Sequence, residues 1–554
     1  MDVMDSNKIK TAPEIILKPN QYFQDTDAPY LYQRRMILMM LTRPRMVNGD
    51  DVGLGKTLED LVMFTYLKAK RPETRMLVLT EKLAFKQWLE ELEKFTVGLT
   101  AKIITSATHP NASDRTRAYR QHGADILVTG YGQIYNYSHH ILEGLGKRWI
   151  FSADEPNYFK NSETLLYKNV RGITVGDVTA RPYRIIRSKM RDGTKEDKYV
   201  PIQHGAIASR SYGLTATVIE NRLEEAFGVF SVVAPNCFQS STQFQKDYCK
   251  MRRIKRGIRI VTGYKNLDKF RRQIQPFFYG RLQDDPEVEQ ELPDVITKDV
   301  PIVLGKQQSL KLLEAMDRII EMPDGNIKAV QILPSMILAQ QLADDPRVLG
   351  FDIESAKMDA LKETLSNSLQ GERVLIFSKL RRVIDSIEKE LQKARIDSVR
   401  ITGMEKDAQR EIAKERFMSD GPDRCNILLG TRAVMKAVNL QKGGFLFFYD
   451  IPWSYGWYRQ TIWSYGWYRQ TIGRLKRTGS SHKSIAVFRM LACLHPEVAA
   501  KVGTDHTIDH YAVKTIMKKF KLWQAITGDV KEIDSVTSDV VDIFRQIKES
   551  YKHS

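Results

Sequence analysis

The stretch Asp50 to Thr57, DDVGLGKT, has the residue types that a triphosphate-binding loop needs. Glycines such as Gly53 and Gly55 let backbone N–H groups close on phosphate oxygens. The Lys56 ammonium can reach the outer phosphates, and the Thr57 hydroxyl can hold Mg2+. Thr57 to Lys68 reads as a helix whose positive N-terminal end faces the phosphates. The loop pattern asks for glycine at position 50, where this chain has Asp50, and a plain glycine turn before a helix is the alternative reading. Farther on, WIFSADEPNYFKN ends an apolar strand in Asp154 and Glu155. Beside a phosphate loop, one such carboxylate holds Mg2+ through water and the other polarises an attacking water; Asp154 takes the first role and Glu155 the second. In QTIGRLKR, Arg474 and Arg477 share a helix face. Arginines offered from a second lobe stabilise charge on a transferred phosphoryl group only when the lobes close, whereas a basic helix on a basic protein is the bland reading.

These residues need elements to hold them. APYLYQRRMILMML has helical apolar periodicity and brings Tyr32 and Gln33 ahead of the loop, where a glutamine could bracket an adenine. Short apolar runs follow at Met76–Thr80, Ala101–Thr105, Asp125–Thr129, Trp149–Ala153 and Ser211–Thr215. A second set occupies Val374–Ser378, Ser398–Thr402, Asn426–Gly430, Phe445–Tyr449 and Ser484–Phe488. Buried runs alternating with helical stretches predict an α/β fold of two parallel-sheet lobes, 21–236 and 371–528. A mainly helical region, 237–370, joins them, with a flexible N-terminus at 1–20 and a C-terminal tail at 529–554.

Within the first lobe, residues 168–210 read as an insertion with ten basic and four acidic residues, net +6, and Asp192-Gly193 marks a hairpin turn. Such a hairpin suits a phosphate backbone or a solvated decoration equally. The run Lys250–Arg259 has six basic residues and no acidic one, which favours nucleic-acid contact through residues such as Arg252 and Arg253.

The whole chain has 554 residues, 42% hydrophobic and 27% charged, as expected for a soluble globular protein of several domains. Its net charge of +18 points to a polyanionic partner, most simply nucleic acid. The four cysteines, Cys237, Cys249, Cys425 and Cys493, form no Cys-x-x-Cys pair, which argues against a zinc module or a disulfide framework. The N-terminus lacks an apolar signal core and no apolar run is long enough to span a bilayer, so a cytoplasmic protein without membrane association is expected.

In order, GDDVGLGKT, DEPN with the following KN, GLTATVIENRLEE, VLIFS, GTRAVMKAVNLQ and QTIGRLKR resemble the motifs of the Swi/Snf-type helicase-like ATPases of helicase superfamily two. The resemblance runs from about Tyr32 to Gly528 and also fits Asp50 and the Thr507-Ile508-Asp509 triplet. It implies two RecA-like lobes with a mainly helical Swi/Snf-type insertion between them, ATP with Mg2+, and a double-stranded-DNA translocase, probing DNA remodelling, repair or replication as its setting. By resemblance, Gln33 reads adenine; Gly53, Gly55, Lys56, Thr57 and Gln470 bind nucleotide; Thr57 and Asp154 hold the metal; and Lys56, Asp154, Glu155, Arg474 and Arg477 carry the chemistry. Thr80, Thr215, Thr217 and Thr431 are expected near nucleic acid. The compact size suggests a bacterial or bacteriophage monomer. An RNA- or RNA-polymerase-directed motor, or a binding protein that no longer hydrolyses ATP, are the competing expectations.

Two departures bear on activity. The acidic box is Asp-Glu-Pro-Asn instead of the family's Asp-Glu-Ala-His, with both carboxylates intact. WSYGWYRQTI occurs twice in tandem, at 453–462 and 463–472, and only the second copy runs into Gly473-Arg474. Ten residues are expected to loop out somewhere between Trp453 and Ile472 in a way that preserves the arginine helix, since ten added helical residues would rotate the arginines by roughly 280°.

Overall fold

The computed structural model describes residues 15–146, 148–175, 208–219, 222–253, 259–283, 285–288, 292–317, 329–435, 439–452, 465–477, 480–514 and 516, with the strands of 183–189 and 195–201. They fall into two compact units, the first ending at Val288.

The strands of the first unit are β1 (Arg45–Asn48), β2 (Arg75–Thr80), β3 (Ala101–Ile103), β4 (Ile126–Gly130), β5 (Trp149–Asp154), β6 (Tyr183–Lys189), β7 (Lys195–Pro201), β8 (Arg210–Leu214), β9 (Cys249–Arg253), β10 (Arg259–Tyr264) and β11 (Phe278–Tyr279). Seven of them form one parallel sheet in the order β11-β1-β8-β5-β2-β4-β3. Runs such as MLVL and WIF are apolar at consecutive positions because both faces of this sheet are covered. Leu61, Val62 and Phe64 of the helix Lys56–Lys70 pack on one face with Met76 and Val78. Ile134 and Ile141 of the helix Ile134–Leu145 pack on the other with Leu77 and Phe151.

The basic insertion contains an antiparallel pair, β6 with β7, in which Lys189 lies opposite Lys195; Asp192-Gly193 lies outside the described residues. Residues from 168 to Val175 instead continue the helix Leu165–Val175, so the hairpin is shorter than the expected insertion. The expected flexible N-terminus is also shorter than 1–20. Ile15 and Leu17 are buried in the first core, and Asn20 Nδ2 donates to Thr65 Oγ1 at 3.3 Å.

The second unit contains β12 (Asp294–Val303), β13 (Val374–Phe377), β14 (Ser398–Ile401), β15 (Ile427–Gly430), β16 (Phe445–Phe448) and β17 (Ser484–Cys493). All six are parallel, ordered β12-β17-β16-β13-β15-β14. Residues 237–370 also supply a strand to each main sheet. Helices such as Ser241–Tyr248 and Ala329–Asp344 are present, but β11 extends the first sheet and β12 pairs along its whole length with β17, from Asp294 opposite Ser484 to Val303 opposite Cys493. β12 escaped the sequence reading because, as a mostly exposed edge strand, DVITKDVPIV has no continuous apolar run.

Buried charge joins the helices of this unit to the carboxyl ends of its strands. Lys357 Nζ donates to Asp344 Oδ1 at 2.9 Å, to Asp509 Oδ2 at 2.7 Å and to the Tyr449 carbonyl at 2.8 Å. Burial pulls the Lys357 pKa down, but Asp344 and Asp509 outweigh it and hold the ammonium above its ordinary value. Gln340 Nε2 donates to both carboxylates, at 3.1 Å to Asp344 and 2.9 Å to Asp509. Removing one partner of a buried ion pair strands the others' charge, at a cost of roughly 3–5 kcal/mol. Lys357→Met should therefore lower the urea midpoint of the second unit's unfolding by that equivalent; a midpoint within about 1 kcal/mol of wild type would mean the cluster is not held as ions.

Candidate active site

Four adjacent strands, β1, β8, β5 and β2, run parallel, so their carboxyl ends lie along one edge of the first sheet. That edge is where open α/β sheets bind ligands. The phosphate loop follows β1, Thr215 follows β8, Asp154 ends β5 with Glu155 next, and Thr80 ends β2. Chain folding thus collects residues that are far apart in sequence.

In the loop, Gly53 and Gly55 take φ of 82° and 83°, a left-handed backbone that side chains resist. Gly55 is the N-cap of the helix Lys56–Lys70, which leaves that helix's first N–H groups available to an anion. Lys56 Nζ donates to the carbonyls of Asp50 at 2.7 Å and Asp51 at 2.9 Å. Burial lowers the Lys56 pKa, opposed by the negative charge of Glu155, Asp50, Glu59 and Asp154. Gln33 is buried against the loop: its Nε2 donates to the Leu54 carbonyl at 2.8 Å, and its Oε1 accepts from the Tyr30 N–H at 2.9 Å. As placed, the expected adenine reader braces the loop.

Asp154 Oδ2 accepts from Thr80 Oγ1 at 2.7 Å and Trp88 Nε1 at 3.1 Å. Burial raises its pKa, while those two donors and Lys56 favour the carboxylate. Glu155 has φ 64°, an uncommon left-handed conformation for a residue other than glycine, and one that clusters at functional sites. Its N–H donates to the Leu214 carbonyl at 2.8 Å, and its Oε2 accepts from Thr215 Oγ1 at 2.8 Å. The Tyr131 hydroxyl donates to the Asp154 carbonyl at 2.7 Å. Asn157 Nδ2 donates to Thr217 Oγ1 at 3.3 Å, so the altered acidic box is bonded to the Thr215-Ala216-Thr217 segment.

Thr80, Thr215 and Thr217, expected near nucleic acid, are 1%, 0% and 2% exposed. Their hydroxyls serve the acidic box, because each strand end lies nearer a neighbouring strand's polar groups than solvent. Thr431 is also buried, with its N–H on the Ile401 carbonyl at 3.2 Å. Arg252, by contrast, is exposed on β9; the Arg253 side chain lies outside the described residues.

In the second unit, the helix Tyr465–Ile472 comes from the second tandem copy and leads into Arg474; residues 453–462 lie outside the described residues. Arg474 Nη2 donates to the Met435 carbonyl, and the Arg474 carbonyl accepts from the Leu440 N–H at 2.9 Å. Arg477 Nη1 donates to Asn439 Oδ1. The two expected motifs, one around Thr431 to Leu440 and one from half-buried Gln470 to Arg477, are therefore in contact.

Sequence reasoning missed several groups. Arg281 forms a buried ion pair with Asp50 and approaches Glu59 Oε1 at 3.3 Å. Asp60 lies on the buried face of the loop helix, bonded by Ser152 Oγ, and its Oδ1 has no hydrogen-bond partner among the described residues. No local motif marks either residue; a charged residue inside the otherwise apolar face of the loop helix was the only available signal. Burial pushes the Asp60 carboxyl up to about 7, against the bond from Ser152. A carboxyl raised this way binds its proton more tightly in the folded chain, so stability falls as pH rises from about 4 to about 7. Asp60→Asn should remove that fall, roughly 4 kcal/mol at most, and stabilise the first unit at pH 8 but not at pH 4. Denaturant midpoints at the two pH values measure it, and an equal effect at both would refute the assignment.

Two family models match the chain: the SNF2-related domain over residues 32–176 and the helicase conserved C-terminal domain over residues 356–479. The first span contains the phosphate loop and the acidic box, the second Arg474 and Arg477. Among curated relatives, "Uncharacterized ATP-dependent helicase YqhH" of Bacillus subtilis is 22% identical, covering 88% of this chain and 77% of that protein. The human "SWI/SNF-related matrix-associated actin-dependent regulator of chromatin subfamily A member 1" is also 22% identical; the alignment covers 92% of this chain but only 44% of the relative. A solved "Sulfolobus solfataricus SWI2/SNF2 ATPase core in complex with dsDNA" aligns at 18% identity and a TM-score of 0.39, covering 97% of this chain and 98% of that one. The chain thus carries an SNF2-related domain followed by a helicase conserved C-terminal domain, and is a helicase-like ATP hydrolase.

Proposed function

We propose that this protein is a DNA-dependent ATPase that translocates on double-stranded DNA. The observation that carries the ATPase part is the gathering of Lys56, Asp154, Glu155 and Thr215 at the carboxyl ends of four adjacent parallel strands. Lys56 and the backbone of Gly53 to Thr57 bind the phosphates of ATP, and Glu155 orients the attacking water. Thr215 fixes the Glu155 carboxylate by donating to its Oε2 at 2.8 Å. Arg474 and Arg477 supply positive charge to the transferred phosphoryl group. Thr57 and Asp154 present hard oxygen donors suited to Mg2+, which takes few protein ligands and keeps waters and phosphate oxygens. When bound, Mg2+ would neutralise phosphate charge.

The net charge of +18 and exposed basic residues such as Arg252 support a nucleic-acid track. Duplex DNA is the track favoured by membership among SNF2-related proteins, and translocation needs no strand separation.

Steady-state ATP hydrolysis, with duplex DNA, single-stranded DNA or RNA, tests this reading. Duplex DNA should stimulate turnover most, and Lys56→Ala should abolish it. Stronger stimulation by RNA would keep the motor and change its track. Turnover that ignores every nucleic acid would end the translocase reading. Deleting 453–462 should raise turnover if the extra copy hinders the arginines, and leave it unchanged if the second-copy helix already places them.

A further inference from the structure

We propose that Arg281 is a positioning residue for nucleotide binding, locking the phosphate loop through Asp50. Arg281 sits just beyond β11, the outermost strand of the first sheet, and is 2% exposed. Its N–H and Nε both donate to Asp50 Oδ1 at 3.0 Å, while Nη2 donates to Asp50 Oδ2. This is a planar fork on a carboxylate, a geometry that fixes orientation as well as charge. The remaining nitrogen, Nη1, donates to the Tyr32 carbonyl, directly before Gln33. Arg281 also stacks over the Tyr32 ring, 4.9 Å from its centroid.

The loop is held at further points by the same group of residues. The Asp51 N–H donates to the Arg281 carbonyl at 3.0 Å, and Gln283 Nε2 donates to the Val52 carbonyl at 2.7 Å. Asp50 is thus gripped through its side chain, and its carbonyl is one of the two that accept from Lys56 Nζ. Moving Asp50 moves the carbonyls that set where Lys56 points.

Charge gives a second reason. Asp50 and Glu59 are fully buried acids close enough to Lys56 to favour its charge. With Arg281 neutralising them, the Lys56 ammonium is left for a phosphate. Without Arg281, Lys56 becomes the nearest cation available to two buried carboxylates. The predicted defect is in nucleotide affinity, because Arg281 touches the loop and not the acidic box that orients water.

This inference rests on the ATP-binding reading of the loop. The test measures equilibrium binding of mant-ADP and the steady-state KM and kcat for MgATP with duplex DNA, on the full chain. Two variants are used: Arg281→Lys, which keeps the charge but loses the fork, and Arg281→Met with Asp50→Asn and Glu59→Gln, which removes the buried charges together. Each is first checked for a wild-type-like cooperative melt. The proposal expects both to weaken mant-ADP binding and raise KM by about tenfold or more, with kcat within about threefold. Wild-type affinity in either folded variant would overturn it, as would a fall in kcat at unchanged KM. Failure of both variants to fold would also overturn it, by showing that the cluster holds the fold and not the loop. If the wild-type chain binds mant-ADP without hydrolysing ATP, the catalytic reading fails while the binding comparison still judges Arg281.

Discussion

The nucleotide-binding edge depends on balancing charge that the fold has buried. Asp50, the first residue of the phosphate loop, and Glu59, on the helix that follows, are fully buried, where unpaired carboxylates would be costly. Burial and the neighbouring Asp50 charge raise the Glu59 pKa, and Arg281 opposes them. Arg281 itself keeps a pKa above its ordinary value because the two acids outweigh its own burial. A lysine could supply the charge but not the fork that meets both oxygens of Asp50 and the Tyr32 carbonyl together.

The second unit solves a similar problem with different residues. Lys357 is the buried cation there, with Asp344 and Asp509 as its anions. It ties the helix Ala356–Ser366 to the end of the helix Ala329–Asp344 and to the segment Thr507–Asp509. In each unit a single cation joins segments that are distant in sequence, close to the carboxyl ends of a parallel sheet. Hydrophobic packing alone would hold those segments with less angular precision, since burial of apolar area is not directional.

Much of this was legible in the chain. The apolar runs at Met76–Thr80, Trp149–Ala153 and Phe445–Tyr449 became strands because buried parallel strands need apolar residues on both faces. The loop, the acidic box and the arginine segment were legible because their chemistry requires particular residues at fixed spacing. Strands without such a pattern were not. β1 has two apolar residues in four, β11 is two residues long, and β12 is an exposed edge. The bonds from the threonines to the acidic box were not legible, because a sequence shows that a strand ends in a hydroxyl but not which strand lies beside it. Arg281 was invisible for the same reason: it lies 231 residues from Asp50, and only the sheet order brings the two together.

That separation has a consequence for how the protein is made. A chain leaves the ribosome N-terminus first, so the phosphate loop emerges long before the residues that complete it. A nascent chain that stops short of Phe278 has the glycines, Lys56 and both acids of the acidic box, yet lacks one of the two strands beside β1 and the counter-charge for Asp50. Contacts of such long range are slow to form, because the intervening loop must close before they can contribute. On the proposed reading, the nucleotide pocket is among the last features of its unit to mature, and ATP would not act as an early template for the folding of its sheet.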